Sequence, residues 1–356
     1  MMKRTTLIVL LAAVSSLMAT ARVTWLEHEY DFGLMKEVAG PKTGQARFVN
    51  QGSEPVTVVE ARPSCGCTGA TFPEDPVAPG DTAVITFTYN PQGRPGRFDK
   101  TIKVRFADGT RQSIRITGNV LGTEESLAQL YPVRAGALYL SEDIVNMGNV
   151  TQGRAPSAFV NAYNQRPDST DVSAVSDNEA LRLQLSQSRA GAGDIVTIGL
   201  YFDSQVLNRP GPFDIPVTLT SVTADGNKSE HTLHVRGTVV PVRKPVSAAE
   251  LARAPQCSAL PPVMDMGTIK AGKYPVAFAI LNEGKSALNV SNVWCDNPGI
   301  RVIRQPERLK PGKSGPVQLE LDTSLMRDGA FRIDINVASD DPVNPVIKVG
   351  VVGEKE

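Results

Sequence analysis

The sequence predicts an all-β protein: three tandem immunoglobulin-like β-sandwich domains behind a cleaved signal peptide. Three observations carry this. The chain of 356 residues holds 30 glycines and 26 prolines, a punctuation density that suits short strands and turns better than long helices. Apolar and polar residues alternate at period two through many short runs. One strand-rich unit recurs three times.

The leader comes first. Lys3 and Arg4 form a positive start, Leu7 to Val14 an apolar stretch, and Ala19-Thr20-Ala21 a small-x-small cleavage site, which together read as a signal peptide over residues 1–21. The apolar run is shorter than the ~20 residues that span a bilayer. No later segment is apolar enough to do so, and no cysteine lies near the cleavage site to carry a lipid anchor. The expectation is a mature chain from Arg22, exported to the periplasm, the outer membrane or the outside, where disulfides persist.

Three repeats follow. Asp31-Phe32-Gly33, Asn146-Met147-Gly148 and Asp265-Met266-Gly267 each precede an apolar strand that reaches an asparagine, at Asn50, Asn161 and Asn282. Gly96-Arg97-Phe98, Gly211-Pro212-Phe213 and Gly329-Ala330-Phe331 come later, at glycine-to-glycine spacings of 63, 63 and 62 residues. The domains expected are 22–122, 123–240 and 257–356. Gly122 to Leu130 reads as a short polar connection. A linker over 241–256 holds a short helix after Ser247, where Ser247-Ala-Ala-Glu250 has capping-box spacing.

Within each repeat the strands show one apolar face. Ala83, Ile85, Phe87 and Tyr89 alternate with threonines and Val84. Val196, Ile198, Leu200 and Phe202 do the same in the second repeat, and Val317, Leu319 and Leu321 in the third. About seven such strands per roughly 100 residues is the arithmetic of an immunoglobulin-like sandwich.

Charge excludes one class. Lys plus Arg equals Asp plus Glu at 37 each, and loss of Lys3 and Arg4 with the leader leaves a net charge of −2. A nucleic-acid binder driven by net positive charge is therefore not expected. Three histidines and four cysteines do not suit a histidine-rich metal enzyme, and no nucleophile-elbow or phosphate-loop string occurs.

Cys65-Gly66-Cys67 ends the strand Val56 to Ala61 and is the most distinctive string. Together with Phe48-Val-Asn-Gln-Gly52, Glu54-Pro55, Pro79-Gly80, Gly96-Arg-Phe98 and Ile114-Arg-Ile-Thr-Gly118, the segment Pro63-Ser-Cys-Gly-Cys-Thr68 resembles the bacterial domain-of-unknown-function family 1573. The likeness runs from Phe32 to Val120. It implies an immunoglobulin-like domain of exported bacterial proteins, akin to major-sperm-protein-like modules, and no established activity. The second repeat lacks cysteine and the third has only Cys295 at the corresponding place.

Three roles compete for Cys65 and Cys67. One is a structural disulfide that locks the strand end. Another is a soft-metal site for copper or zinc, which two thiolates alone leave half filled. The third is a redox couple. For Cys257 and Cys295 a bridge within the third repeat is the favoured pairing, with two reduced, buried thiols as the alternative. His231 and His234, three apart in a strand, face opposite sides and share no metal. His28 is isolated. Asp340-Asp341 reads as ordinary turn acids, with calcium a weak alternative.

The expected function is that of a non-enzymatic cell-envelope protein, a multidomain spacer or protein-binding module. Its partner would be another envelope protein, joined by strand addition at a sheet edge. No nucleic acid and no cofactor is expected. The alternatives are a thiol redox or copper-handling protein using Cys65 and Cys67, and a periplasmic chaperone of the immunoglobulin type.

Overall fold

The structure, a computed structural model, describes residues 23–243 and 245–356. The expected leader, residues 1–21, and the expected mature start at Arg22 lie outside the described residues. The described chain is nearly all β and forms six sheets, two per repeat.

In the first repeat the strands are β1 (Val23–Trp25), β2 (Glu29–Lys36), β3 (Lys42–Asn50), β4 (Val58–Pro63), β5 (Thr68–Thr71), β6 (Thr82–Tyr89), β7 (Gly96–Phe106) and β8 (Arg111–Leu121). One sheet has the order β1-β3-β6-β5 and the other β2-β8-β7-β4. The expected alternation sets the core. Ile85, Phe87 and Tyr89 of β6 face Ile102, Val104 and Phe106 of β7, all at most 1% exposed. Burying each such side chain stabilises by about 1.5–3 kcal/mol. Tyr89 stacks on Phe98 with ring centroids 3.8 Å apart.

The repeated strings have physical causes. At each Asp/Asn-x-Gly the acid or amide side chain accepts the backbone N–H two residues on: Asp31 from Gly33 at 3.0 Å, Asn146 from Gly148 at 2.8 Å, Asp265 from Gly267 at 2.8 Å. Each glycine has φ between 62° and 65°, a conformation that costs other residues a Cβ clash. Each lies in a bulge of a parallel strand pair, such as the shift between Asp31 and Leu34 of β2 against β8. The Gly-x-Phe string places a ring over a glycine on the neighbouring strand. Phe98, Phe213 and Phe331 are register partners of Gly118, Gly237 and Gly353. A Cβ at any of these glycines would lie 2.7–2.8 Å from that ring.

The asparagine correspondence needs one correction. Asn50 and Asn282 are buried, and each amide donates to two loop carbonyls, but the matching residue of the second repeat is Asn164. Asn164 is fully buried and donates to Asp168 and Ala190. Asn161 is half-buried and accepts from Thr197 instead. The strand Ser157–Asn164 simply runs three residues further.

Contacts divide the chain into two compact units. One comprises the described residues up to Gln129 with Gln165–Pro167 and Gly191–Ile195. The other comprises Leu130–Asn164, Asp168–Ala190 and Val196–Glu356, and so holds most of the second repeat together with the third. In this second unit Asn292 is 2% exposed. Its amide donates to Pro210 O at 2.6 Å, and its Oδ1 accepts from Arg209 at 2.7 Å.

The connections are more ordered than their composition predicts. Residues expected as a polar connection form the helix Glu124–Leu130, started by Thr123, whose hydroxyl accepts the Ser126 N–H at 3.2 Å. Two acids in its first turn suit the helix dipole. After Ser247 the capping box forms, and the helix runs Ala248–Leu251.

Candidate functional site

Cys65, Gly66 and Cys67 make the crossover between the two sheets of the first repeat, from edge strand β4 to edge strand β5. The chain must reverse within four residues. The Thr68 N–H closes that turn on Cys65 O at 3.4 Å, while Asn90 N–H donates to Cys67 O at 2.8 Å. Ser64 anchors the entry, its N–H donating to Thr101 O at 2.8 Å and its Oγ accepting the Thr101 N–H at 3.2 Å.

Cys65 and Cys67 are bridged, with Cα atoms 5.3 Å apart. Cys67 is buried, Cys65 half-buried and Gly66 exposed. A disulfide has no proton to give, so the buried Thr68 hydroxyl is the donor toward both sulfurs, at 3.5 and 3.8 Å. In this state neither sulfur is a thiolate ligand for copper or zinc. Among the described residues no three His, Cys, Asp or Glu side chains gather as a metal site.

The bridge opens onto a groove of about 320 Å³ whose charged lining is Arg94, Arg97 and Lys100, with Tyr89 and Phe98 beneath. No acid lines it. Burial raises the Tyr89 pKa, and the Arg94 charge acts in the opposite sense.

The expected bridge between Cys257 and Cys295 is not formed; both are free thiols. Cys257 starts the strand Cys257–Leu260 and lies by Ser339 and Asp341. Trp294, the neighbour of Cys295, is the register partner of Asn336, three residues along the strand from Ser339. At ~3.3 Å per residue the sites are roughly 10 Å or more apart, beyond disulfide reach. Burial pushes the Cys257 thiol up to about 11, and the charges of Asp341 and Asp340 act in the same direction. Burial raises Cys295 too.

The other candidates resolve into structure. His234 Nδ1 lies 2.7 Å from Asp214, and His231 Nε2 lies 3.6 Å from Asp143. His28 is exposed. Asp341 is buried and accepts the N–H groups of Cys257, Val343 and Asn344; Asp340 accepts from Asn289.

One acid was not foreseen. Glu37 is 7% exposed and accepts from the N–H groups of Gly93 and Thr123 and the Ser126 hydroxyl. Burial raises its pKa, but those hydrogen bonds outweigh burial and hold it below the usual 4.5. Only its company of loop donors, which no local string reveals, marks it out.

No helix among the described residues is long and apolar enough to cross a membrane. No curated protein matches the chain. Among solved structures, a protein of unknown function from Porphyromonas gingivalis W83 is similar at 20% identity, covering 62% of this chain and 100% of that one, with a TM-score of 0.47. The YadV chaperone is similar at 11% identity over 61% and 99% of the two chains, TM-score 0.26. The C. elegans MSP family member WR4 is similar at 17% identity over 28% and 97%, TM-score 0.21. At these identities and scores none of them assigns a function. Residues 23–120, the sandwich that carries the bridged turn, match the family described as a protein of unknown function, DUF1573.

Proposed function

We propose that the chain is an exported, non-catalytic cell-envelope protein whose three sandwiches act as a spacer and whose first sandwich binds another envelope protein. The observation that supports this most is the open edge beside the bridged turn. β4 is the last strand of its sheet, paired to β7 on one side only. Its far end is fixed by the disulfide crossover. An ordered edge strand with unpaired backbone groups is a template for strand addition. Co-purification from the envelope in gentle detergent tests the reading. A stoichiometric protein partner is expected; recovery of a metal or a mixed disulfide alone contradicts it.

A second reading has its own observation. Arg94, Arg97 and Lys100 around the bridge, with the Thr68 hydroxyl at both sulfurs, would stabilise a thiolate once the bridge is reduced. In that case a partner dithiol gives two electrons and two protons to the Cys65–Cys67 bridge and is itself oxidised to a disulfide. The released pair would be the candidate copper or zinc ligand. Equilibration of the chain with a dithiol buffer tests it: the reading requires a reducible bridge in the intact protein.

A further inference from the structure

Arg62 of β4 and Lys103 of β7 are direct register partners, and one step along the sheet Arg105 of β7 faces Arg111 of β8. Two like-charge pairs therefore sit side by side on the outer face of the first sandwich. Like charges directly opposite one another destabilise a sheet, so their presence needs a cause. All four line one depression of about 530 Å³. The sole acid in its lining, Glu60, is already paired with Arg105 at 3.1 Å. Arg62, Lys103 and Arg111 have no side-chain hydrogen bond or ion pair among the described residues.

The other repeats act as internal controls, since they share the same register. Where the first repeat has Arg62–Lys103 and Arg105–Arg111, the second has Val175–Thr218 and Thr220–Glu230. The third has Trp294–Asn336 and Ala338–Val346. The fold does not require these cations.

We infer that this face binds an acidic, extended protein segment. The segment adds to the open edge of β4 and sets carboxylates at alternate positions on the outer side. Such a strand places one carboxylate beside Arg62; the next outward residue of β4, about 7 Å along, is Glu60, whose charge Arg105 already pairs. Lys103 and Arg111, one and two strands further in at ~4.8 Å per strand, add to the same field. The edge beside the cations favours a peptide, because a glycan or a lipid headgroup would use the cations and leave the edge unused. The inference deepens the partner-binding reading above by giving the partner its chemistry.

The test is calorimetric titration of the full mature chain with a synthetic peptide alternating glutamate and threonine, beside the variant Arg62→Gln/Lys103→Gln/Arg111→Gln. The wild type should bind with an affinity that falls as salt rises, and the variant about tenfold or more weakly. The variant should melt no lower than wild type, since repulsion has been removed. Absence of peptide binding, or equal binding by the variant, overturns the inference. So does binding of heparin or anionic phosphatidylglycerol vesicles without the peptide, which would give the face to a glycan or a lipid. Equal recovery of one envelope partner by wild type and variant sinks this inference and leaves partner binding standing. Recovery of no partner by either sinks the broader reading, and the titration still decides the face.

Discussion

The side-chain amide of Asn50 donates to the carbonyl of Val77 at 2.9 Å, across 27 residues of chain, and the same bond recurs from Asn164 to Ala190 and from Asn282 to Leu309. Each amide also holds a carbonyl four residues on, at Glu54, Asp168 and Ser286. The repeats are thus tied by the same buried polar clamp at the same pole. Replacing Asn50 or Asn282 by alanine leaves two carbonyls short of a donor, and should cost about 2–4 kcal/mol. Chemical denaturation checks this, and Asn161→Ala should cost clearly less than Asn164→Ala. Equal losses at 161 and 164 would contradict the revised correspondence.

The glycines under the phenylalanine rings should be intolerant of any side chain. At Gly118 a Cβ would meet the Phe98 ring at 2.8 Å and Gly33 O at 3.1 Å. Gly118→Ala is expected to destabilise by about 1–3 kcal/mol through overpacking, whereas Gly109→Ala, with open space around it, pays only for its positive φ. Thermal melts of the two variants compare these costs.

Glu37 links acid stability to the loop donors around it. Its carboxyl is held below 4.5 because the hydrogen bonds from Ser126, Gly93 and Thr123 outweigh the opposing effect of burial. A carboxyl depressed in the folded state contributes stability above its ordinary value and loses it as the pH falls through the folded value. The melting temperatures of wild type and Glu37→Gln should therefore differ most near neutral pH. They should converge below about pH 4.5. A gap that widens in acid would show that the carboxylate is not the stabilising form.

Thiol titration settles the third repeat. Denatured, unreduced protein should yield two free thiols, those of Cys257 and Cys295. In the folded chain Cys257, buried and raised to about 11, should resist alkylation at pH 8 for as long as the fold holds. No free thiol would mean that the two are bridged after all.

Legibility followed the physics of each feature. The period-two pattern located the core faces because a half-buried strand must alternate, as Ile85, Phe87 and Tyr89 do. The Asp-x-Gly string was visible because its bulge and side-chain bond join residues two apart, whereas the phenylalanine of Gly-x-Phe meets a glycine on the neighbouring strand, which the string itself does not show. Asn164 was missed although spacing carries it: the clamp asparagines stand 17, 16 and 15 residues after Gly33, Gly148 and Gly267, whereas Asn161 stands 13 after. The positive face at Arg62, Lys103, Arg105 and Arg111 was hidden because a net charge near zero says nothing of which strand faces the charges share. Glu37 and Asn292 depend on partners brought in from distant segments. Likewise the separation of Cys257 from Cys295 follows from strand register, which no spacing of the two cysteines encodes.

The role of the bridged turn is tested most directly by partner recovery with the variant Cys65→Ser/Cys67→Ser. If the bridge is structural, non-reducing peptide mapping finds it oxidised in protein taken from its native compartment. The variant then loses only about 1–2 kcal/mol, since so small a loop constrains little chain entropy, and it recovers the envelope partner as wild type does. A variant that melts like wild type yet recovers no partner would contradict the account and assign the turn to thiol chemistry.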